Sequence, residues 1–367
     1  MDTVFFSDMQ TDFGKSLENK FEKIVDKLDL NSFIEKNEIV AVKLHVGERG
    51  NLGYTNHNFA RVLVEKIKQA GGKPYLTDTN TLYSGGRHNG VDHAVTAIQH
   101  GFTYATTGAP FIPADGVRGL DYIEVEINQK NVKKAKLAAG VLKADKVIFL
   151  NHFKGHLEAG FGGAIKNMAM GVASVAGKLE QHCNAQPEVS PEKCVGCRQC
   201  YHACPANAIY MEGKKAHIDY EKCIGCGQCV AACNYEAMNP KWDSSHQEFM
   251  EKLCEYAYAV DHYFGDKALY VNFAMNITPD CDCWPHNDVP FVQDVGILGS
   301  KNPLALDRAT LDLVNKSPKN PFSRYAEKIE NNQNVFTELR EQIHSDYVFE
   351  YCKSMGMDPS YDMKTIK

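Results

Sequence analysis

Apolar and polar positions along this chain follow two periods that keep trading places. FEKIVDKLDLNSFI, starting at Phe21, repeats its apolar residues at helical spacing, and the β-branched run IVAVKLHV at 39–46 suits a buried strand. Asn58 to Gly72 returns to helical periodicity with a double-glycine stop, KPYLTDT supplies the next strand, and a helix follows at about Val91 to His100. DYIEVEI and KVIFLNHF read as further strands. Beyond residue 240 come a helix at about Gln247 to Tyr263, the strand ALYVNFAMNI, a short strand around DVGIL, and a helix at about Pro303 to Asn315. Strands separated by crossover helices predict an α/β fold, a largely parallel sheet flanked by helices on both faces. From Ser317 onward only a helix near Val335 to His344 is legible.

One segment interrupts the alternation. Of 13 cysteines, eight lie between Cys194 and Cys233. They fall in two halves, EKCVGCRQCYHACPANAI from Glu192 and EKCIGCGQCVAACNYEAM from Glu221, each carrying C-x2-C-x2-C-x3-C. This spacing lets three thiolates of one loop grip three irons of a cubane, while the fourth cysteine, expected to open the following helix, reaches the other cluster. The predicted metal sets are Cys194, Cys197, Cys200 and Cys233, and Cys223, Cys226, Cys229 and Cys204. Paired zinc knuckles are the alternative, but zinc takes tetrahedral thiolates in C-x2-C pairs, and tandem triplets with a trailing cysteine suit two 4Fe-4S clusters better. The segment resembles bacterial two-cluster ferredoxins over about 45 residues, including Pro205 after the fourth cysteine of the first half. Asn234 stands at that place in the second half, so a slightly different turn is expected. The segment is too poor in apolar residues to build its own core, so its folding has to depend on what it binds. The domain organisation that follows is a first part of the α/β domain at 1–187, a ferredoxin-like insert at 188–240, and a second part with C-terminal helices at 241–367.

Composition narrows the partners. In 367 residues, 40 Lys and Arg stand against 46 Asp and Glu, and a net charge of -6 offers no general basic field to nucleic acid or an anionic membrane. No window approaches the roughly 18–20 apolar residues of a membrane span. The opening MDTVFFSDMQTDF lacks the basic and apolar regions of a signal peptide, so a cytoplasmic protein is expected. In that reducing compartment clustered cysteines serve metals or redox chemistry rather than disulfides.

Ligands of open α/β sheets bind beyond the carboxyl ends of the strands. IVAVKLHV delivers Lys43, His45, Gly47 and Glu48 to that edge, and KPYLTDT delivers Asp78, Asn80, Tyr83, Arg87 and His88. KVIFLNHF leads to His152, Lys154, His156 and then AGFGGAIKNMAMG with Lys166 and Asn167; ALYVNFAMNI leads to Asp280, Cys281, Asp282, Cys283 and His286. Gly160, Gly162, Gly163 and Asn167 form a candidate cofactor or phosphate cradle at a helix start, where Lys166 could bind an anion; a plain tight turn is the alternative, since no Walker lysine or full dinucleotide fingerprint is present. His45 and His93 each have a purely structural reading as hydrogen-bonded histidines. The C-x-C of Cys281 and Cys283 strains a disulfide, whereas two thiolates so placed can chelate one metal or serve as a reactive pair.

The blocks TNTLYSGGRHNGVDHAVTAIQHGF, KGHLEAGFGGAIKNMAMGVAS and DCDCWPHNDVPFVQDVGILGSKNPLALDRATLDLVN resemble, over nearly the whole chain, a domain-of-unknown-function family of ferredoxin-bearing Fe-S centre proteins. That resemblance implies an iron-sulfur protein without an established reaction. His156, Ala159, Gly160, Phe161, Gly163 and Lys166 are also similar to an H-x-x-A-G-F-x-G-x-x-K motif of the lactate racemase family. There the resemblance implies an acid/base histidine and a lysine that tethers a nickel-pincer cofactor, but the family's D-x-T-R-P signature is not apparent here. The expected function is a redox protein whose two 4Fe-4S clusters relay single electrons to or from a site formed by His45, His156, Lys166, Cys281 and Cys283. It would have a redox partner protein, a small-molecule substrate, and room for a further metal or organic cofactor. An electron carrier or cluster-handling protein without its own substrate, and a lysine-tethered-cofactor isomerase, are the alternatives.

Overall fold

Alternating burial along the strands builds one sheet with two covered faces. The computed structural model describes residues 1–183, 186–241, 244–330 and 333–366. Its main sheet has eight strands: β1 (Asp2–Asp8), β2 (Ile39–Lys43), β3 (Lys73–Asp78), β4 (Phe111–Pro113), β5 (Lys146–His152), β6 (Ala268–Ala274), β7 (Gly296–Ser300) and β8 (Tyr361–Thr365). Their order is β8-β1-β7-β6-β5-β2-β3-β4. Every neighbouring pair is parallel except the two made by β7, which runs against β1 and β6.

Val40, Val42, Ile148, Leu150, Leu269 and Val271 face the helices Leu17–Lys27 and His57–Gln69. Ala41, Val147, Phe149, Tyr270 and Leu298 face the helices Ala164–Val172, His246–Phe264 and Pro303–Val314. Each fully buried aliphatic or aromatic side chain contributes about 1.5–3 kcal/mol. The chain steps outward from β2 to β3 and β4, then returns to place β5 on the other side of β2. Strand order reverses there, which opens a crevice above the carboxyl ends of β2 and β5.

Several elements depart from the sequence expectations. DYIEVEI lies outside the main sheet, as the strand Tyr122–Glu126 of a hairpin with Lys134–Ala138. The strand around DVGIL is the reversed one. β1 and β8 carried no clear apolar pattern; β8 is largely exposed and is held by backbone pairing to β1. The helix expected to reach His344 stops at Leu339, because Arg340 leaves helical geometry and reaches the Pro279 carbonyl and the Asp280 carboxylate; a second helix, Tyr347–Ser354, follows.

At the neck of the cysteine-rich segment Pro187–Val189 pairs with Met238–Pro240, and beyond it Ile209–Glu212 pairs with Lys215–Ile218. The repeat is visible in space as two short helices, Gln199–Ala203 and Gln228–Ala232, which follow Arg198 at φ 65° and Gly227 at φ 70°. Cys204 and Cys233 close these helices instead of opening the next ones. Their φ/ψ values, -81°/107° and -82°/109°, show that Asn234 in place of Pro205 leaves the turn unchanged. Ile209, Ala216, Val230 and Met238 bury themselves together with Val175, Leu179 and Leu82 of the α/β body, so the segment shares a core it could not build alone. Among the described residues no helix is long and apolar enough to cross a membrane.

Candidate functional site

A cavity of about 920 Å³ opens at the carboxyl ends of β2, β3, β5 and the loop after β6, lined among others by His45, Tyr83, His156, Lys166, Cys281 and Cys283. Its thiol pair is positioned by the residue between the sulfurs. Asp282 is buried and accepts from His152 Nδ1 at 2.9 Å, with Lys154 Nζ 3.3 Å away. The other nitrogen of His152 lies 2.9 Å from the Met275 carbonyl. Burial opposes the charge on Asp282, but His152 and Lys154 hold its carboxyl well below the usual range. With Asp282 anchored inward, Cys281 and Cys283 fall on one side, their Sγ atoms 3.1 Å apart. Gly155 supports the loop from beneath: a Cβ there would lie 2.0 Å from the Pro279 carbonyl oxygen.

Lys166 sits in the first turn of the helix Ala164–Val172 and donates to Cys281 Sγ at 2.6 Å, with Cys283 Sγ at 3.9 Å. A Cβ on Gly162 would come within 2.8 Å of Lys166 Cδ, so glycine clears the path of this side chain. Burial works against the lysine's charge, yet the two sulfurs raise its pKa above the ordinary value. The Gly47 N–H donates to His45 Nδ1 at 3.0 Å, which places the ring hydrogen on Nε2, 3.4 Å from Cys283 Sγ. Burial keeps His45 neutral, its pKa lowered. The Cys281 thiol donating to Cys283, then Lys166 and His45, hold the Cys283 thiolate well below its ordinary value against burial, while Cys281 is pushed up. The pair therefore shares one proton and one negative charge.

Two further imidazoles face the cavity. His156 accepts the N–H groups of Glu158 and Ala159 at Nδ1, at 3.2 and 3.1 Å, and stacks on Phe249 at 5.8 Å. Burial and then Lys166 push its pKa well down. His182 packs against the same Phe249 at 4.9 Å, and burial lowers it to about 3.

The helix amides expected to form an anion cradle already have a partner. Asp307 accepts the N–H groups of Ala164 and Ile165 at 2.8 and 2.9 Å, so a carboxylate of the chain itself fills the helix N-terminus that a phosphate would need. Gly160 and Gly162 belong to a strand, Gly160–Gly162, paired with Lys154–His156, and Gly163 packs on Asp307. The Asn167 side chain accepts from Lys43 at 2.7 Å and donates to Asn151 at 2.8 Å, which makes it a structural bridge at the cavity floor. His93 lies away from the cavity with its Nδ1 3.2 Å from Asn80 Oδ1, a buried structural histidine.

The eight clustered cysteines line two smaller cavities. Cys194, Cys197, Cys200 and Cys233 surround one, and Cys204, Cys223, Cys226 and Cys229 the other. All eight are free thiols. The N–H groups of Ala208 and Ala237 donate to the sulfurs of Cys204 and Cys233 at 3.2 and 3.3 Å. Burial pushes Cys200 up to about 11 and raises Cys229 further.

Residues 40–312 match the profile of a domain of unknown function, DUF362. The chain belongs to the DUF362 family. No curated protein matches it. Among solved structures it is similar to the lactate racemase apoprotein from Thermoanaerobacterium thermosaccharolyticum, with 13% identity and a TM-score of 0.43 over 85% of this chain and 58% of that one. It is similar as well to a protein from Thermotoga maritima, with 10% identity and a TM-score of 0.44 over 82% and 59% of the two chains. The chain thus spans less than two thirds of either relative.

The DUF362 match takes in both four-cysteine cavities and the Cys281/Cys283 pair, and one helix, Val175–His182, lies between the second cysteine repeat and the large cavity. Gly227 of the second repeat rests on Ala176 and Leu179 of this helix, and the adjacent stripe, Lys178 and His182, lines the large cavity. Sequence reasoning did not nominate Lys178 and His182; their one signal was an i,i+4 spacing that puts both on one helix face. Arg87 stood at an expected strand end and proves to be a buried hub, 3.3 Å from Glu48, 2.6 Å from the Tyr83 hydroxyl and 3.5 Å from Asp78. Tyr83 in turn donates to the Cys283 carbonyl at 2.8 Å.

Proposed function

We propose that this DUF362 protein is an iron-sulfur oxidoreductase in which two 4Fe-4S clusters serve the Cys281/Cys283 site. The observation that supports it most is that one of the two four-thiol cavities is lined by Gly227, which rests on a helix whose Lys178 and His182 line the 920 Å³ cavity. The donor sets fit the group. Four cysteines line each space, and the backbone amides of Ala208 and Ala237 donate to the sulfurs of Cys204 and Cys233. Such clusters, when bound, supply single electrons at low potential.

The remaining work falls to side chains of the large cavity. Lys166 and His45 hold negative charge on the sulfurs, and His156 offers a hydrogen at Nε2. Among the described residues Arg49 and Lys178 hydrogen-bond to hydroxyl and carbonyl oxygens, and their cationic ends could orient an anionic substrate, although burial lowers Lys178 to about 8. A protein electron carrier completes the couple. Iron and acid-labile sulfide analysis of protein purified without oxygen tests the proposal: about eight of each per chain is expected. Zinc in place of iron, or fewer than about two irons, overturns it.

A further inference from the structure

We infer that Cys281 and Cys283 form a redox-active dithiol that reduces a small anionic disulfide. This rests on the electron-transfer reading above and adds the substrate class and the reacting atoms. Three observations carry it. The two sulfurs are 3.1 Å apart and need approach by only about 1 Å to reach the 2.05 Å of a disulfide. They differ in role by their contacts: Cys283 faces the His45 Nε2–H, whereas Cys281 is buried against Lys166. The cavity they face is lined by Arg49, Lys166 and Lys178, none in a carboxylate ion pair among the described residues, while its carboxylates Glu48, Asp78 and Glu158 are paired with Arg87, Lys43 and His246.

The chemistry balances in two stages. The Cys283 thiolate attacks one sulfur of the substrate, a Cys283–substrate disulfide forms, and the first half of the substrate leaves as a thiolate that takes a proton from solvent or from Lys166. Cys281 then loses its proton and attacks Cys283 Sγ; the Cys281–Cys283 disulfide forms and the second substrate thiolate leaves with that proton. Return to the resting pair, one thiol and one thiolate, takes two electrons and one proton, with a second proton restoring Lys166 where it was the donor; the electrons come singly from reductants of the iron-sulfur class. A disulfide across one intervening residue is strained, and strained disulfides are the oxidising, labile kind that turnover requires.

The test uses the full chain purified without oxygen, with iron counted on the same sample. Oxidised glutathione is the anionic probe and cystamine its cationic counterpart. After exposure and alkylation of remaining thiols, peptide mass analysis is expected to find Cys281 and Cys283 joined, with the loss of two hydrogens, and to find glutathione at least about tenfold faster than cystamine. Cys281→Ser is expected to trap one glutathione on Cys283, and Cys283→Ser to trap none. Wild-type protein in which both thiols stay alkylatable overturns the inference, and needs no variant to fold. Iron present with inert thiols overturns the dithiol alone; thiols that react in protein without iron overturn the electron-transfer reading and leave the dithiol standing.

Discussion

Two groups of thiols in this chain live in opposite surroundings. Within the repeats burial is the main influence on Cys200, Cys226 and Cys229, and all three are pushed toward the neutral thiol. At the sheet edge burial also opposes charge, yet Lys166 and His45 stand beside the pair and one thiolate persists. The difference separates thiols that burial keeps neutral from thiols the protein charges by itself. It also separates two ways of building a site. One is folded into a short repeat; the other is assembled from strand ends far apart in the chain.

Breaking the first group has the largest expected effect. Cys229→Ala should lower bound iron from about eight to about four or fewer per chain and open the 190–236 segment to proteolysis, because its folding is coupled to what it binds. Cys283→Ala should leave iron unchanged, as read by elemental analysis and limited digestion. If Cys283→Ala lost iron as well, the two groups would not be separate.

The α/β body should show its dependence on neutral buried imidazoles as the pH falls. Burial lowers His93 to about 4, so the unfolded chain binds the extra proton below about 6.5; the stability contributed by neutral His93 is complete above that pH and is lost as the pH drops toward 4. Between pH 7 and 4.5 wild-type protein should therefore lose roughly 2 kcal/mol more than His93→Gln in urea unfolding. Equal losses would show that His93 is not held neutral.

Smaller effects sharpen the edge site. Lys166→Met removes the cation beside the sulfurs, and alkylation of Cys283 at pH 7 should slow by about tenfold, recovering at higher pH, with cluster absorbance unchanged. An unchanged rate would assign the thiolate to Cys281 and His45 alone. Asp307→Asn, which weakens the carboxylate cap on the helix that carries Lys166, should cost about 1 kcal/mol in thermal or urea unfolding. No loss there would mean that the amides of Ala164 and Ile165 find another acceptor.

The legible parts of the fold were those whose pattern is local. Buried parallel strands such as IVAVKLHV and KVIFLNHF announce themselves as β-branched and aliphatic runs, and every one of β2, β3, β5 and β6 could be read that way. β8 could not, since YDMKT is held by backbone bonds to β1, which any residue can make. The sheet's reversal at β7 was equally invisible, because antiparallel and parallel neighbours present the same apolar faces.

From its residues alone this chain determined two things: a mainly parallel α/β sheet, and two sets of four cysteines whose spacing already implied the crossed grouping around Cys204 and Cys233. Tertiary structure decided the rest. Lys166 meets Cys281 across 115 positions and His45 meets Cys283 across 238, contacts that exist only because the strand order reverses between β2 and β5. It also decided that the helix amides after the glycine-rich turn meet a carboxylate of the chain itself. Asp307, 143 residues from Ala164, had already satisfied the helix amides, and no local pattern reveals which distant carboxylate will reach a given helix end.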